Sequence, residues 1–193
     1  MLERLRLGLM LLLCLPWLAY ASEIDIVDPQ LSATEDGIVL AADFRFELGP
    51  RLEEAVAKGV VLYFVAEFEL TRSRWYWFEE TVVSRSQVFR LSYHALTRQY
   101  RLSTGGLHQS FASLSEALAM LSRLRNWLVI EKTDKGALSR PGETYQAALR
   151  LRLDPAQLPR PFQISALGNK EWNLASERKL WQTVLPAVPG EAK

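Results

Sequence analysis

Residues 38–48 read IVLAADFRFEL, and their pattern indicates the fold class. Apolar side chains occupy every second position, and the residues between them become charged towards the end of the stretch. This alternation is typical of a β-strand that buries one face. The turn signal Glu35-Asp36-Gly37 comes just before it and residues 24–34 also look extended, so the two stretches together predict a β-hairpin. The predicted buried face carries Ile38, Leu40, Ala42, Phe44, Phe46 and Leu48.

The same alternation recurs along the rest of the chain. The stretch 60–70 is apolar on both faces at its start, which predicts a central strand. A turn at Leu96-Thr97-Arg98 separates two of the other strands, and Gly105-Gly106 ends the second of them. The remaining predicted strands are 82–95, 99–103, 145–153 and the two short stretches 162–166 and 181–185.

Two helices are predicted between these strands. Gly49-Pro50 begins the first, because proline suits the first helical position, and Gly59 ends it. Ser113-Leu114-Ser115-Glu116 matches a capping box and begins the second. Helical spacing predicts that this second helix extends from residue 114 to 128 and packs on the sheet. Its apolar face is predicted to carry Leu114, Ala117, Leu118, Leu121, Leu124 and Leu128, and its polar side Ser122, Arg123 and Asn126.

No strand–helix–strand unit repeats along the chain. This pattern predicts a mainly β protein, an antiparallel β-sandwich of seven or eight strands with two short helices. The alternative is an open antiparallel sheet with a helix on one face.

The composition is that of a folded globular protein. Of 193 residues, 49% are apolar, and 23 basic residues stand against 22 acidic ones. Such a balance excludes a disordered chain, collagen and a coiled coil. Near-zero net charge also argues against nucleic acid as a partner, because a general nucleic-acid binder is strongly basic.

Residues 1–21 are predicted to be a signal peptide. Basic residues precede an apolar run, Pro16 breaks it, and Ala19-Tyr20-Ala21 supplies the pattern that a signal peptidase needs. We expect cleavage after Ala21, a periplasmic or secreted protein with no membrane span after cleavage, one β-rich domain over residues 22–185 and a flexible tail over 186–193. The alternative is a signal retained as an anchor. Cys14, the only cysteine, lies inside the signal, so the mature chain has no thiol chemistry.

Catalytic signatures are missing from the sequence. It contains two histidines, no His-Glu-x-x-His motif, no Gly-x-Ser-x-Gly elbow and no phosphate-binding loop, so no metal site or cofactor is predicted. His94 is interpreted as an exposed histidine at a strand end. Glu67 and Glu69 share one strand face, which leaves an envelope glycan hydrolase as the alternative function. Arg150 and Arg152 have the same spacing and are expected to lie opposite these carboxylates.

The segment 71–102 is the most unusual in composition. Six arginines stand against two glutamates, and seven aromatic residues lie between them. Arginine with aromatic side chains is typical of binding hot spots, although some of these aromatic residues are expected to belong to the core. The expected partner is an envelope protein, an anionic lipid headgroup or a cell-wall glycan, and the oligomeric state stays open. The candidate binding surface comprises Arg72, Arg74, Trp75, Trp77, Arg90 and Arg98.

Four stretches of the chain resemble a bacterial family, the domain of unknown function 4390. They are Leu62-Tyr63-Phe64, Trp75-Tyr76-Trp77-Phe78, residues 91–100 (LSYHALTRQY) and Glu171-Trp172-Asn173-Leu174. The resemblance implies a secreted or periplasmic protein of Gram-negative bacteria and implies no reaction and no functional residues. It also implies genes near a membrane sensor histidine kinase, and hence an accessory role in envelope signalling. Taken together, these observations predict a non-catalytic binding module of the cell envelope.

Overall fold

The structure is a computed structural model that describes residues 23–72, 80–133, 143–166 and 169–186. The predicted signal peptide with its cleavage site therefore lies outside the described residues. The described ranges contain ten strands: β1 (Glu23–Ala33), β2 (Gly37–Arg45), β3 (Leu62–Arg72), β4 (Glu80–His94), β5 (Gln99–Thr104), β6 (Leu107–Phe111), β7 (Arg123–Glu131), β8 (Thr144–Leu153), β9 (Ala175–Ser176) and β10 (Lys179–Val184). They also contain the helices α1 (Pro50–Ala57), α2 (Leu114–Leu121) and α3 (Arg160–Ala166), with short 3-10 helices at Pro155–Gln157 and Lys170–Trp172.

The strands form one continuous sheet in the order β6-β5-β4-β3-β8-β9-β1-β2-β7, and β10 also pairs with β8. Neighbouring strands are antiparallel except β1 and β9, which are parallel. The sheet curls so that the inner face of β3 meets the inner face of β7, where the rings of Phe68 and Trp127 lie 6.4 Å apart. The core therefore lies inside the curl.

The prediction of a mainly β fold is confirmed, but the strands form one curled, mixed sheet where an antiparallel sandwich was predicted. The strands number ten in the described ranges rather than seven or eight, and the α-helices number three rather than two. The central position of β3 is also confirmed, because this strand lies between β4 and β8. No helix within the described ranges is long and apolar enough to cross a membrane.

The opening hairpin forms as predicted from its turn signal. β1 and β2 pair from Ala33 opposite Ile38, and the Thr34 N–H donates to the Gly37 carbonyl at 2.7 Å. Gly37 has a φ of +148°, and a Cβ at this position would lie 2.1 Å from the carbonyl oxygen of Ile130 on β7. Glycine is required here because the backbone of another strand occupies the space of a side chain.

The predicted helix over 114–128 is wrong beyond Leu121. The N-cap of Ser113 forms, since Glu116 N–H donates to Ser113 Oγ at 3.2 Å, but Glu116 Oε2 accepts from the N–H of Ala112 and not from that of Ser113 as a full capping box requires. After Ser122, however, the chain enters β7 and pairs with β2. Long-range pairing with β2 thus overrides the helical spacing of the leucines.

The predicted strand over 162–166 is also wrong, because these residues form most of α3. A helix places residues four apart on one face. Phe162 and Ala166 accordingly face the protein, and the Phe162 ring lies 5.6 Å from that of Trp172. A strand would place Ile164 on the same buried face as Phe162 and Ala166, but Ile164 is 73% exposed.

Candidate functional site

The candidate binding surface of arginines and aromatic residues, called the Arg–aromatic surface below, has six residues. Three of them, Arg74, Trp75 and Trp77, lie outside the described residues. The other three arginines lie at separate places. Arg72 ends β3 and pairs in register with Glu80 at the start of β4. Arg90 follows ten residues later on β4, which is about 30 Å along an extended strand. Arg98 is an exposed turn residue with a φ of +53°.

Arg72 joins three segments of the chain. Its guanidinium lies 2.7 Å from Glu80 Oε2 and 3.6 Å from Glu143 Oε1. Glu143 in turn accepts a hydrogen bond of 2.8 Å from the hydroxyl of Tyr145. The hydrogen bond to Glu80 raises the pKa of Arg72 above its usual value, so the side chain stays charged. Arg72 is therefore engaged within the protein, whereas Arg90 and Arg98 are exposed.

The carboxylates of the hydrolase alternative lie on the outer face of β3, where each meets an arginine. Glu67 Oε1 accepts from Arg152 Nε at 2.9 Å, and Glu69 Oε2 from Arg178 Nη1 at 2.8 Å. Arg150 lies opposite Glu67 in the register of β3 and β8, as expected, whereas Arg152 lies opposite Val65 and reaches Glu67 diagonally, and Glu69 has Ala148 opposite it. Both carboxylates thus take part in ion pairs, the common role of charged side chains on a sheet face.

The two histidines lie in short polar contacts. His94 ends β4, as predicted, but is half-buried rather than exposed, and its Nδ1 lies 3.1 Å from Thr97 Oγ1 in the following turn. His108 Nδ1 lies 2.7 Å from Ser103 Oγ across the β5–β6 pair. The described ranges contain no group of three or more potential metal ligands.

A groove opens where the two ends of the curled sheet approach each other. We call it the β6–β7 groove. Its volume is about 560 Å³, within the range of ligand pockets, which span about 300–1,000 Å³. One wall comes from β4, β5 and β6, the other from β7, and α2 contributes one side chain. The groove is lined by Gln87, Phe89, Leu102, Thr104, Leu107, Gln109, Met120 and residues 123–128.

The groove has a buried apolar floor and an exposed apolar rim. Phe89, Leu102, Leu124 and Trp127 form the floor, and all four are buried. The rim is exposed, with Leu107 at 75%, Met120 at 43% and Leu128 at 37% exposure. Large apolar side chains gathered around one concavity mark an interaction site more strongly than the same residues scattered singly.

Two arginines stand at the β7 side of the groove. Arg125 is engaged, because it lies 2.6 Å from Asp43 Oδ1 and donates to the Ala42 carbonyl at 2.8 Å. Arg123 is exposed and makes no ion pair or hydrogen bond with its side chain to any residue in the described ranges. It thus offers a free positive charge beside an apolar surface.

Sequence reasoning missed this groove for two identifiable reasons. β6 is short, with only Leu107 and Phe111 as apolar members, so the sequence predicts no strand there. Residues 123–128 were assigned to a helix, which removed the second wall. The Gly105-Gly106 pair was the available signal, since a two-residue glycine turn after a strand is typical of a hairpin that returns.

Comparison with known proteins identifies the family of the chain. No curated protein and no solved structure matches the chain significantly. The model of the family described as domain of unknown function (DUF4390) matches residues 21–182, which is most of the chain. The resemblance of the sequence motifs is confirmed, and the protein belongs to the DUF4390 family.

Proposed function

We propose that the protein is a non-catalytic binding module of the bacterial cell envelope that holds an apolar ligand in the β6–β7 groove. The observation that carries this proposal is the exposed apolar rim of Leu107, Met120 and Leu128 around a buried apolar floor. Fully covering a leucine or methionine side chain is worth about 1.5–3 kcal/mol. A ligand that covers this rim therefore gains much of its binding free energy from apolar contact.

The location in the envelope is part of the proposal. It is supported by the three-part signal pattern of residues 1–21. An accessory role beside a membrane sensor kinase fits a module of this kind, since such a role needs recognition and no chemistry. Mass spectrometry of the protein purified from the envelope tests the location: we expect the mature chain to begin at Ser22, and a chain that keeps residues 1–21 contradicts cleavage.

The groove itself is tested with an apolar fluorescent dye, anilinonaphthalene sulfonate, on the purified mature protein. We expect the wild-type protein to bind the dye and Leu107→Asp to lose most of this binding, because a charge at the rim opposes apolar contact. Leu107 is exposed, so the variant is expected to fold. Leu96→Asp is the matched control, since Leu96 is 92% exposed in the β4–β5 turn and does not line the groove.

Circular dichroism and the thermal midpoint must show that each variant is folded, because partly folded proteins also bind this dye. Equal dye binding by folded Leu107→Asp and wild type contradicts the proposed site. In cells, Leu107→Asp is expected to fail to complement a deletion strain that Leu96→Asp complements. A parallel triple variant at Arg74, Trp75 and Trp77 tests the Arg–aromatic surface as the competing location of binding.

A further inference from the structure

The β6 strand forms one end of the sheet, and one of its edges is unpaired within the described residues. Within the described ranges it pairs with β5 alone, from Thr104 opposite Leu107 to Tyr100 opposite Phe111. The loop between them has two residues, Gly105 and Gly106, and the residues that flank such a loop exchange hydrogen bonds. Antiparallel pairs alternate between bonded and non-bonded, so β5 satisfies residues 107, 109 and 111.

The backbone N–H and C=O groups of His108 and Ser110 consequently point away from β5. No backbone hydrogen bond from the described part of the chain reaches either N–H group. Both residues are exposed. β6 thus presents two donors and two acceptors along its free edge.

β6 is short, which itself limits pairing, but its edge lacks the side chains that usually block the addition of a strand. Natural edge strands are blocked by charged side chains, proline or bulges. β6 reads Leu-His-Gln-Ser-Phe and has no proline, lysine, arginine or carboxylate. The opposite end of the sheet differs, since β7 carries Arg123, Arg125 and Glu131 and register shifts against β2.

The unprotected edge lies beside the groove. Leu107 and Gln109 are alternate residues of β6, and both line the groove. A strand added to β6 would place its own alternate side chains over the same concavity, because side chains of paired strands align on each face. Arg123 stands at the groove with no ion pair to any described residue, so an acidic side chain or terminal carboxylate of that strand is complementary to it.

We propose that the ligand of the β6–β7 groove is an extended polypeptide segment of another envelope protein, which adds as a strand to β6. Its alternate apolar side chains fill the groove and an acidic group lies beside Arg123. This inference rests on the proposed function and names the ligand class. An acyl chain also suits an apolar groove, but it cannot satisfy the four backbone groups of the free edge, whereas strand addition does so with main-chain hydrogen bonds.

The probe is a phage-displayed library of ten-residue peptides that alternate apolar and random polar residues. We expect the mature protein to enrich peptides with an acidic residue, and labelled copies of these peptides to bind in solution. Ser110→Pro removes one free-edge donor without touching a bond to β5. We expect this variant to weaken binding about tenfold or more, since a net hydrogen bond and the fit of the strand are both lost.

Ser110→Ala separates the side chain from the backbone, because it removes the hydroxyl and keeps the N–H. It is expected to bind at least tenfold more tightly than Ser110→Pro. Arg123→Glu is expected to reduce the affinity for acidic peptides and to spare that for their neutral counterparts. Thermal midpoints confirm that each variant is folded.

Amide hydrogen exchange of the wild-type protein gives a reading that needs no variant. The enriched peptide is expected to slow exchange at His108 and Ser110, whose N–H groups donate no backbone hydrogen bond to any described residue. Gln109, already bonded to β5, is expected to change little. A ligand that fills the groove without pairing leaves each of the three exchange rates unchanged.

The inference is overturned if no peptide is enriched over a shuffled library, if folded Ser110→Pro binds as wild type does, or if the His108 and Ser110 amides stay unprotected. If dye binding still depends on Leu107 in that case, the groove remains the binding site and its ligand belongs to another class, such as a lipid. If dye binding is also independent of Leu107, both proposals fall.

Discussion

Leu124 and Trp127 are three residues apart on β7, and both side chains face the interior. Their partners on β2 are Ala42 and Leu40, which are only two residues apart. The extra residue is accommodated by a bulge in which Asn126 adopts a φ of +52°. The bulge allows both apolar side chains to reach the floor of the β6–β7 groove, so the shape of the groove depends on the backbone at Asn126.

Asn126→Val is expected to destabilise the protein by about 1–3 kcal/mol, because a β-branched residue is strained at positive φ. Asn126→Gly keeps the conformation accessible and is expected to retain stability and dye binding. Urea unfolding of the two variants measures the difference. Equal stability of Val and Gly at this position would mean that the bulge is not needed.

Gly37→Ala is expected to destabilise the protein by about 1–3 kcal/mol, since its Cβ would meet the Ile130 carbonyl at 2.1 Å and the φ is positive. Gly106→Ala is the control, because a Cβ there meets nothing within 4 Å. The midpoint of urea unfolding is expected to fall for the first variant and to stay close to wild type for the second. A larger loss in Gly106→Ala would contradict this account of the hairpin.

Arg72→Ala is expected to lower the thermal midpoint, because it leaves Glu80 and Glu143 without their shared cation. Arg90→Ala is the control on the same sheet, since Arg90 is exposed and without an ion pair in the described ranges. Differential scanning calorimetry of the two variants checks the prediction. Similar midpoints would show that the Arg72 cluster contributes little to stability.

The hydrolase alternative predicts an activity that the binding proposal does not. We expect the purified protein to release no reducing ends from cell-wall material, and Glu67→Gln to be indistinguishable from wild type in this assay. The stability cost of Glu67→Gln is expected to be about 1 kcal/mol or less, as for other partly exposed ion pairs. Release of sugar that disappears in Glu67→Gln would restore the catalytic reading.

Several elements could be predicted from the sequence, because the spacing of apolar residues and the positions of glycine and proline specify them. The β1–β2 hairpin follows from strict alternation and a glycine turn, and α1 follows from Gly49-Pro50. The ends of the predicted strands at 60–70 and 145–153 agree with β3 and β8 to within two residues. Equal spacing on adjacent strands also predicted arginine beside Glu67, but the register places Arg150 opposite Glu67 and makes the ion pair with Arg152 diagonal.

The chain by itself determined the class of the fold, the opening hairpin, the N-cap at Ser113 and the family, because these depend on residue types at short spacing. The strand at residues 123–131 and the helix at residues 160–166 depend instead on contacts between distant parts of the chain. Only the tertiary structure brought β6 and β7, the two ends of one sheet, to face each other across the groove. Pairing between distant strands overrides local periodicity, and the closing of a curled sheet depends on contacts that no short window of sequence contains.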